Sequence, residues 1–252
     1  MASDSTTRFS NRVGDYVKYR PHYPSGIIDY LQKEYHLSTD QLVADIGAGT
    51  GISAALFLDA GCRVVAVEPN REMRQKSIEL LSGYPGFRAV DGTAEHSGLD
   101  NASVDVIVAG QAFHWFNVTE TKAEFTRILK AQGWVVLLWN EREISSGFEK
   151  DYDQLILQYG RDYVQVQHRN IDLPHIEAFF SPQACRLKAF PNYQLFDFDG
   201  LKGRLLSSSY MPLPGDQEYD MMMNDLQRLF EQHNEQGNIR INYSTRVYTG
   251  RL

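Results

Sequence analysis

Five short apolar runs rich in β-branched residues, LVADIG (42–47), RVVAVE (63–68), FRAVD (87–91), VDVIVA (104–109) and GWVVLLW (133–139), alternate with helical patterns at about 50–60, 70–82 and 117–130. Runs that lack polar alternation suit strands covered on both faces, and a strand–helix–strand repeat supplies the crossovers that parallel strands need. The helix at 117–130 shows the matching stripe, with Phe125, Ile128 and Leu129 at i, i+3 and i+4. This alternation predicts an α/β fold with a doubly wound sheet. Ligands of such sheets bind outside the carboxyl ends of the strands, so the last residues of each run and the loop that follows are where chemistry is to be sought.

Past residue 145 the pattern changes. A helix is expected over FEKDYDQLILQYGRDYVQV (148–166), then a proline-flanked stretch near 171–182, a long β-like segment CRLKAFPNYQLFDFD (185–199), a helix over 216–236 and a closing strand at 239–250. In the late helix, Met221 to Met223 with Leu226, Leu229 and Phe230 form an apolar stripe suited to core packing. The late strands are expected to complete the same sheet while the helices between them form a lid. The 252 residues are therefore read as one domain, with a cofactor-binding core at about 30–140, an N-terminal arm at 1–24, cap elements at about 145–236 and the closing strand.

Charge and composition remove several classes of partner. The balance of 25 Lys plus Arg against 32 Asp plus Glu leaves a net charge of −7, which offers no general attraction to phosphate backbones or anionic membranes. Neither a nucleic-acid nor a membrane partner is expected. Two cysteines, Cys62 and Cys185, make neither a disulfide framework nor a four-thiolate zinc site, and no metal is expected. The amino terminus has no signal-like apolar run, and nowhere do some 18 apolar residues follow one another, so a cytoplasmic protein is expected.

The first motif is VADIGAGTG (43–51), which closes a strand and opens a helix. Glycines at 47, 49 and 51 are expected to let backbone amides approach a ligand. A dinucleotide fingerprint beginning at Gly47 requires a glycine at 52, where Ile52 stands. Asp45 would also repel a pyrophosphate and favour a ligand carrying positive charge. The D-x-G-x-G-x-G pattern resembles motif I of the class I S-adenosylmethionine-dependent methyltransferases, whose cofactor carries an ammonium and a sulfonium against one carboxylate.

The resemblance extends to the following strands. Glu68 ends the second run and is followed by Pro69; an acid there accepts hydrogen bonds from ribose hydroxyls, as it also does in nicotinamide enzymes. Met73 is placed to lie against adenine. DGTAEHSGL (91–99), with an acidic-turn strand and an aromatic loop after it, looks like the small-molecule branch, in which Thr93 and Ala94 would flank adenine. Many relatives carry Asp where Thr93 stands, so its side-chain contact is expected to be weaker. In the loop QAFHWF (111–116) the resemblance makes Gln111 a contact to the methionine end of the cofactor. It makes His114 a candidate general base, because an imidazole titrates near neutrality. Trp115 would be a wall near the substrate. With WN (139–140), this loop is similar to trans-aconitate methyltransferase-like proteins.

The resemblance implies a Rossmann-like seven-stranded sheet with helical lid insertions. It also implies methyl transfer from S-adenosylmethionine, giving S-adenosylhomocysteine, to an oxygen of a small carboxylate or hydroxyl compound. Tyr16 and Arg20 of the arm are assigned to cofactor. Tyr19, Trp139, Asn140, Arg142, Arg204 and Tyr210 are assigned, with Trp115, to substrate. A monomer or homodimer is expected. Three alternatives stay open at this point: an RNA or protein methyltransferase, a non-catalytic regulator that binds the cofactor, and a nicotinamide-dependent oxidoreductase on a similar sheet.

Overall fold

The computed structural model describes residues 13–161 and 173–252. The first half runs α1 (Val13–Tyr19), α2 (Gly26–Tyr35), β1 (Leu42–Ile46), α3 (Ile52–Asp59), β2 (Arg63–Val67), α4 (Arg71–Leu80), β3 (Phe87–Val90), β4 (Val104–Gly110), α5 (Val118–Ile128) and β5 (Leu129–Arg142). The second half adds α6 (Gly147–Tyr159), α7 (Leu173–Phe180), β6 (Cys185–Phe196), α8 (Phe198–Leu206), α9 (Tyr219–His233) and β7 (Ile239–Gly250). The seven strands form one sheet in the order β3-β2-β1-β4-β5-β7-β6. Strands β1 to β5 are parallel, and β7 runs antiparallel to both β5 and β6. The order turns back between β1 and β4, and a crevice opens at the carboxyl ends of those two strands.

Side-chain parity divides the core into layers. In β1, Val43 packs on one face with Ile27, Leu31 and Phe57, whereas Ala44 and Ile46 pack on the other with Phe113, Phe125 and Phe179. A third apolar cluster joins Tyr152, Leu155 and Ile156 of α6 to Leu201 and Leu205 of α8 and Leu226 of α9. It also contains Ile239, Ile241 and Tyr243 from β7, so the cap is founded on the sheet itself. Met222, Leu226 and Leu229 are buried in that cluster, as the apolar stripe predicts, while Met221 is exposed.

Helix starts are fixed by side chains that accept the otherwise unpaired amides. Asn70 caps α4 through the Met73 amide at 2.9 Å, and Ser146 with Glu149 forms a reciprocal capping box on α6. Several boundaries differ from the sequence reading. The β-like stretch at 185–199 stops at Phe196, because Asp197 accepts from the Gly200 amide at 2.8 Å and starts a helix. Strand β5 extends past its apolar run to Arg142, because β7 continues beside it and pairs Glu141 and Arg142 with Ser244 and Tyr243. The proline-flanked stretch holds a helix, α7. Of the helix expected over 148–166, α6 ends at Tyr159, and 162–166 lie outside the described residues. So do residues 1–12 of the arm and the side chain of Tyr16.

Candidate functional site

Two cavities lie at the carboxyl ends of the central strands and share a wall made of Gly47, Gly110 and Gln111. The wall is built under constraint. Gly47 has φ +69°, and a Cβ on it would stand 2.8 Å from the Ala112 Cβ, so the turn after β1 passes where only glycine fits. Gln111 also adopts a left-handed conformation, φ +55°, which is costly for a residue with a side chain. Its Nε2 donates to the Asn140 carbonyl at 3.1 Å, and its buried Oε1 has no partner among the described residues. A strained residue holding an unpaired acceptor between two cavities marks the wall as a place to look for function.

The first cavity, about 180 Å³, is lined by Glu68, Pro69, Met73, Thr93 and Ala94 together with Trp115 and Phe116. Glu68 is 8% exposed. Its two oxygens accept from the Asn70 and Gly49 amides, each at 2.8 Å. Burial pushes the carboxyl above its ordinary range and these two amides oppose the shift. Each oxygen keeps lone-pair capacity on the cavity side, an arrangement suited to a vicinal diol.

One expectation about the glycine loop is corrected. Four of its five amides turn away from a ligand: Gly47 and Ala48 donate to the Val67 carbonyl at 2.9 and 3.2 Å, Gly49 to Glu68, and Gly51 to the Ala48 carbonyl at 2.9 Å. The tight turn folds these donors back onto β2, so the loop offers no cradle for a phosphate. Gly51 lines neither cavity and starts α3 at φ +90°.

Asp45 is also displaced from its expected place. It is wholly buried and lines neither cavity, because the parity that puts Val43 under α3 puts Asp45 there too. Its Oδ2 accepts from the Ser53 hydroxyl at 2.7 Å, and Ser53 lines the second cavity. Burial raises the Asp45 carboxyl to about 7, against the hydrogen bonds from Ser53 and the Ala54 amide. When Asp45 is ionised it can only accept, so Ser53 donates inward and turns its lone pairs toward the cavity.

The second cavity, about 150 Å³, brings together residues from distant parts of the chain: Arg20 and Tyr23 of the arm, Trp139, Asn140 and Arg142 of β5, Tyr152 of α6, Arg204, Ser208 and Tyr210 near α8, and Tyr243 of β7. Its two deep guanidinium groups differ. Arg142 is paired with Asp153 and lies over the Tyr152 ring, 5.1 Å from the centroid. Among the described residues Arg204 bonds only neutral groups, donating from Nε to the Tyr243 hydroxyl at 3.2 Å and from Nη1 to the Ser207 and Ser208 hydroxyls at 3.4 Å. A recessed guanidinium that meets no carboxylate leaves a charge uncompensated unless a ligand supplies an anion. The Trp139 Nε1 donor is likewise buried without a partner among the described residues. Burial pushes the Tyr152 phenol up to about 12, so it stays protonated. Asn140 ties the wall to the arm by donating to the Pro21 carbonyl at 3.2 Å.

Three assignments fall elsewhere. His114 lines neither cavity, and its ring lies 4.8 Å from that of Trp115. Trp115 belongs to the first cavity, not to the one with Arg204, because the 3₁₀ turn Phe113–Trp115 carries it past the shared wall. Tyr19 packs outward on α8: a Cβ on Gly203 would stand 2.0 Å from its ring. Sequence reasoning missed Tyr23, Ser53, Tyr152 and Tyr243, which carry no local motif and meet only in three dimensions. Among the described residues no cluster fits a metal ion, and no helix is long and apolar enough to cross a membrane.

Comparison with known proteins agrees with this geometry. Residues 44–137 match the family model described as a methyltransferase domain. An uncharacterized methyltransferase of Mycobacterium tuberculosis is 35% identical over 171 residues, which cover 68% of this chain and 66% of that protein, just under two thirds. An uncharacterized methyltransferase-like protein of Schizosaccharomyces pombe is 30% identical over 155 residues, covering 61% of this chain and 59% of its own length. Among solved structures, a candidate type II methyltransferase from Anaeromyxobacter dehalogenans superposes with a TM-score of 0.69 at 21% identity, covering 92% of this chain and 98% of that one. The Haemonchus contortus phosphoethanolamine N-methyltransferase 2, solved with S-adenosyl-L-methionine, gives 0.58 at 15% identity and covers 99% and 60%. At these identities the structures establish the shared fold.

Proposed function

Because this chain belongs to the class I S-adenosylmethionine-dependent methyltransferases, we propose that it transfers a methyl group to an oxygen of a small carboxylate held in the second cavity. The observation that carries the choice of acceptor is Arg204, a recessed guanidinium whose hydrogen bonds all go to neutral hydroxyls.

The residues present fit the cofactor. A ribose diol matches the remaining acceptor capacity of Glu68 in a cavity walled by Met73, Ala94, Trp115 and Phe116. A group that only donates, such as an ammonium, matches the unpaired Gln111 Oε1 and the lone pairs of Ser53. The loop whose amides turn inward gives no purchase to a pyrophosphate, which speaks against a dinucleotide. Bound there, S-adenosylmethionine supplies an already activated methyl group.

The protein's own work is then alignment and exclusion of water. A carboxylate is ionised at neutral pH, so the acceptor needs no general base, and the position of His114 outside both cavities costs nothing. Arg204 holds the carboxylate by charge-assisted hydrogen bonds, with the Trp139 indole and the protonated Tyr152 phenol as further donors. The rings of Trp139, Tyr152 and Tyr243 keep the site dry and thereby strengthen that attraction.

Methyl transfer to paired acids and amides, with S-adenosylhomocysteine affinity measured alongside, tests the reading. Arg204→Gln is expected to raise KM for a carboxylate acceptor by roughly tenfold or more, the worth of a lost charge-assisted bond, while cofactor-product affinity holds. An unchanged KM, or preferential turnover of a neutral phenol, overturns it.

A further inference from the structure

Gln194, near the carboxyl end of the edge strand β6, lines neither cavity, yet its amide joins two parts of the site. Its Nε2 donates to the main-chain carbonyl of Tyr19 in the arm at 3.2 Å, and its Oε1 accepts from the Tyr243 hydroxyl at 2.9 Å. Tyr243 in turn accepts from Arg204 Nε at 3.2 Å. The register pairs Tyr243 with Asn192, so Gln194 is its diagonal neighbour on the same face of the sheet.

The direction of this chain is forced from its far end. A carbonyl oxygen can only accept, so the Gln194 amide must turn its nitrogen toward Tyr19 and its oxygen toward Tyr243. The Tyr243 proton is thereby committed to Gln194, and the phenol oxygen is left as an acceptor for Arg204. Tyr243 is 1% exposed, so its hydroxyl has little bulk solvent to turn to. Were the amide absent, the Tyr243 hydroxyl would be free to swing, and a hydroxyl pointing its proton at a guanidinium repels it.

The same strand face grips the arm a second time, where Asn192 Nδ2 donates to the His22 carbonyl at 2.8 Å. Arg20 adds a bond to the Ser207 carbonyl at 3.0 Å, beside the serines that Arg204 touches. Seating of the arm and presentation of the Arg204 guanidinium thus meet at one side chain.

We propose that Gln194 is a positioning residue of the acceptor site: by fixing the polarity of the Tyr19–Gln194–Tyr243–Arg204 chain it couples seating of the arm to the capture of an acceptor carboxylate. This rests on the carboxylate reading given above. The test uses the 252-residue chain saturated with S-adenosylhomocysteine, titrated with benzoate and with neutral benzamide as probes, and hydrogen exchange of the amides of residues 17–20 and 22. Gln194→Met keeps the side-chain volume and removes both hydrogen bonds; Tyr243→Phe cuts the chain on the Arg204 side alone.

Wild-type protein is expected to prefer benzoate. Each single variant should reduce that preference by roughly tenfold, and the double variant by no more than either single one, because both break the same chain. Exchange at 17–22 should quicken in Gln194→Met and stay at the wild-type rate in Tyr243→Phe, a difference that a merely destabilised fold would not produce. If wild-type protein does not distinguish benzoate from benzamide, the carboxylate reading falls and the coupling falls with it. If wild-type protein distinguishes them and Gln194→Met distinguishes them equally, the coupling alone is overturned. Should Gln194→Met not fold, an unchanged benzoate preference in Tyr243→Phe overturns it by itself.

Discussion

Asp45 shows how far one residue's behaviour is set by its surroundings. Its carboxyl, raised by burial from 3.8 to about 7, keeps its proton in the folded protein over a range where the unfolded chain has shed it. The folded state therefore binds more protons between about pH 4 and 7, and stability contributed by this group falls as pH rises through that window. Urea unfolding at pH 5 and pH 8 should show the wild-type protein weaker at the higher pH by up to roughly 3 kcal/mol from this residue, the part of the window above pH 5. Asp45→Asn, which still accepts from Ser53, should lose most of that dependence; an equally steep slope in the variant would exclude Asp45 as its source. Glu124 and Glu149 act in the opposite sense. Arg127 holds Glu124 at about 2, while at Glu149 burial is outweighed by the Ser146 and Ser145 amides and it too lies at about 2. Their contributions are lost only as pH falls below about 4.5, outside the Asp45 window.

At the scale of elements, the cap and the arm meet where α8 comes against α1. Gly203 is what lets them meet, since the Tyr19 ring occupies the space of a Cβ. Gly203→Ala should gain up to about 1 kcal/mol of helix propensity in α8 while expelling that ring. Little net change in unfolding midpoint is therefore expected, together with faster hydrogen exchange at residues 17–22. A seated arm in the variant, with exchange as slow as in the wild type, would show that the contact does not hold it. The β-strand elements were legible from the sequence because their buried runs are contiguous. The length of β5 and the end of β6 were not, since the first follows its partner β7 and the second follows a cap at Asp197. Arg204 and Tyr210, both assigned to substrate from the sequence, do line the second cavity, whereas Gln194 carries no local signal.

For the molecule as a whole, ligand binding should register as stability. A ligand that binds only the folded state adds about 2.7 kcal/mol at a hundred times its Kd. For a chain of this size that corresponds to a rise in Tm on the order of 5–10 °C. S-adenosylhomocysteine should produce such a shift in a thermal scan, and NADH at equal concentration should not, because the amides of Gly47, Ala48, Gly49 and Gly51 are engaged by Val67, Glu68 and Ala48. A shift with NADH alone would contradict the reading of the first cavity. Both cavities depend on the sheet order, since only where β1 and β4 lie side by side do the turn at Gly47 and the strained Gln111 share a wall.

The sequence by itself determined the alternating α/β architecture and several residues that line the first cavity. Strand runs, the turn at Gly47 and Glu68 are each read within a few neighbouring residues, whereas the Thr93–Ala94 pair came from the family resemblance. Only the tertiary structure decided the direction of Asp45, the closure of the loop amides, the place of His114 outside both cavities and the membership of the second cavity. The physical reason is range. Tyr23, Ser53, Tyr152, Arg204 and Tyr243 come from separate elements, and what brings them together is the packing of a cap and an arm onto the far strands of a sheet whose antiparallel β7 carries the closing wall.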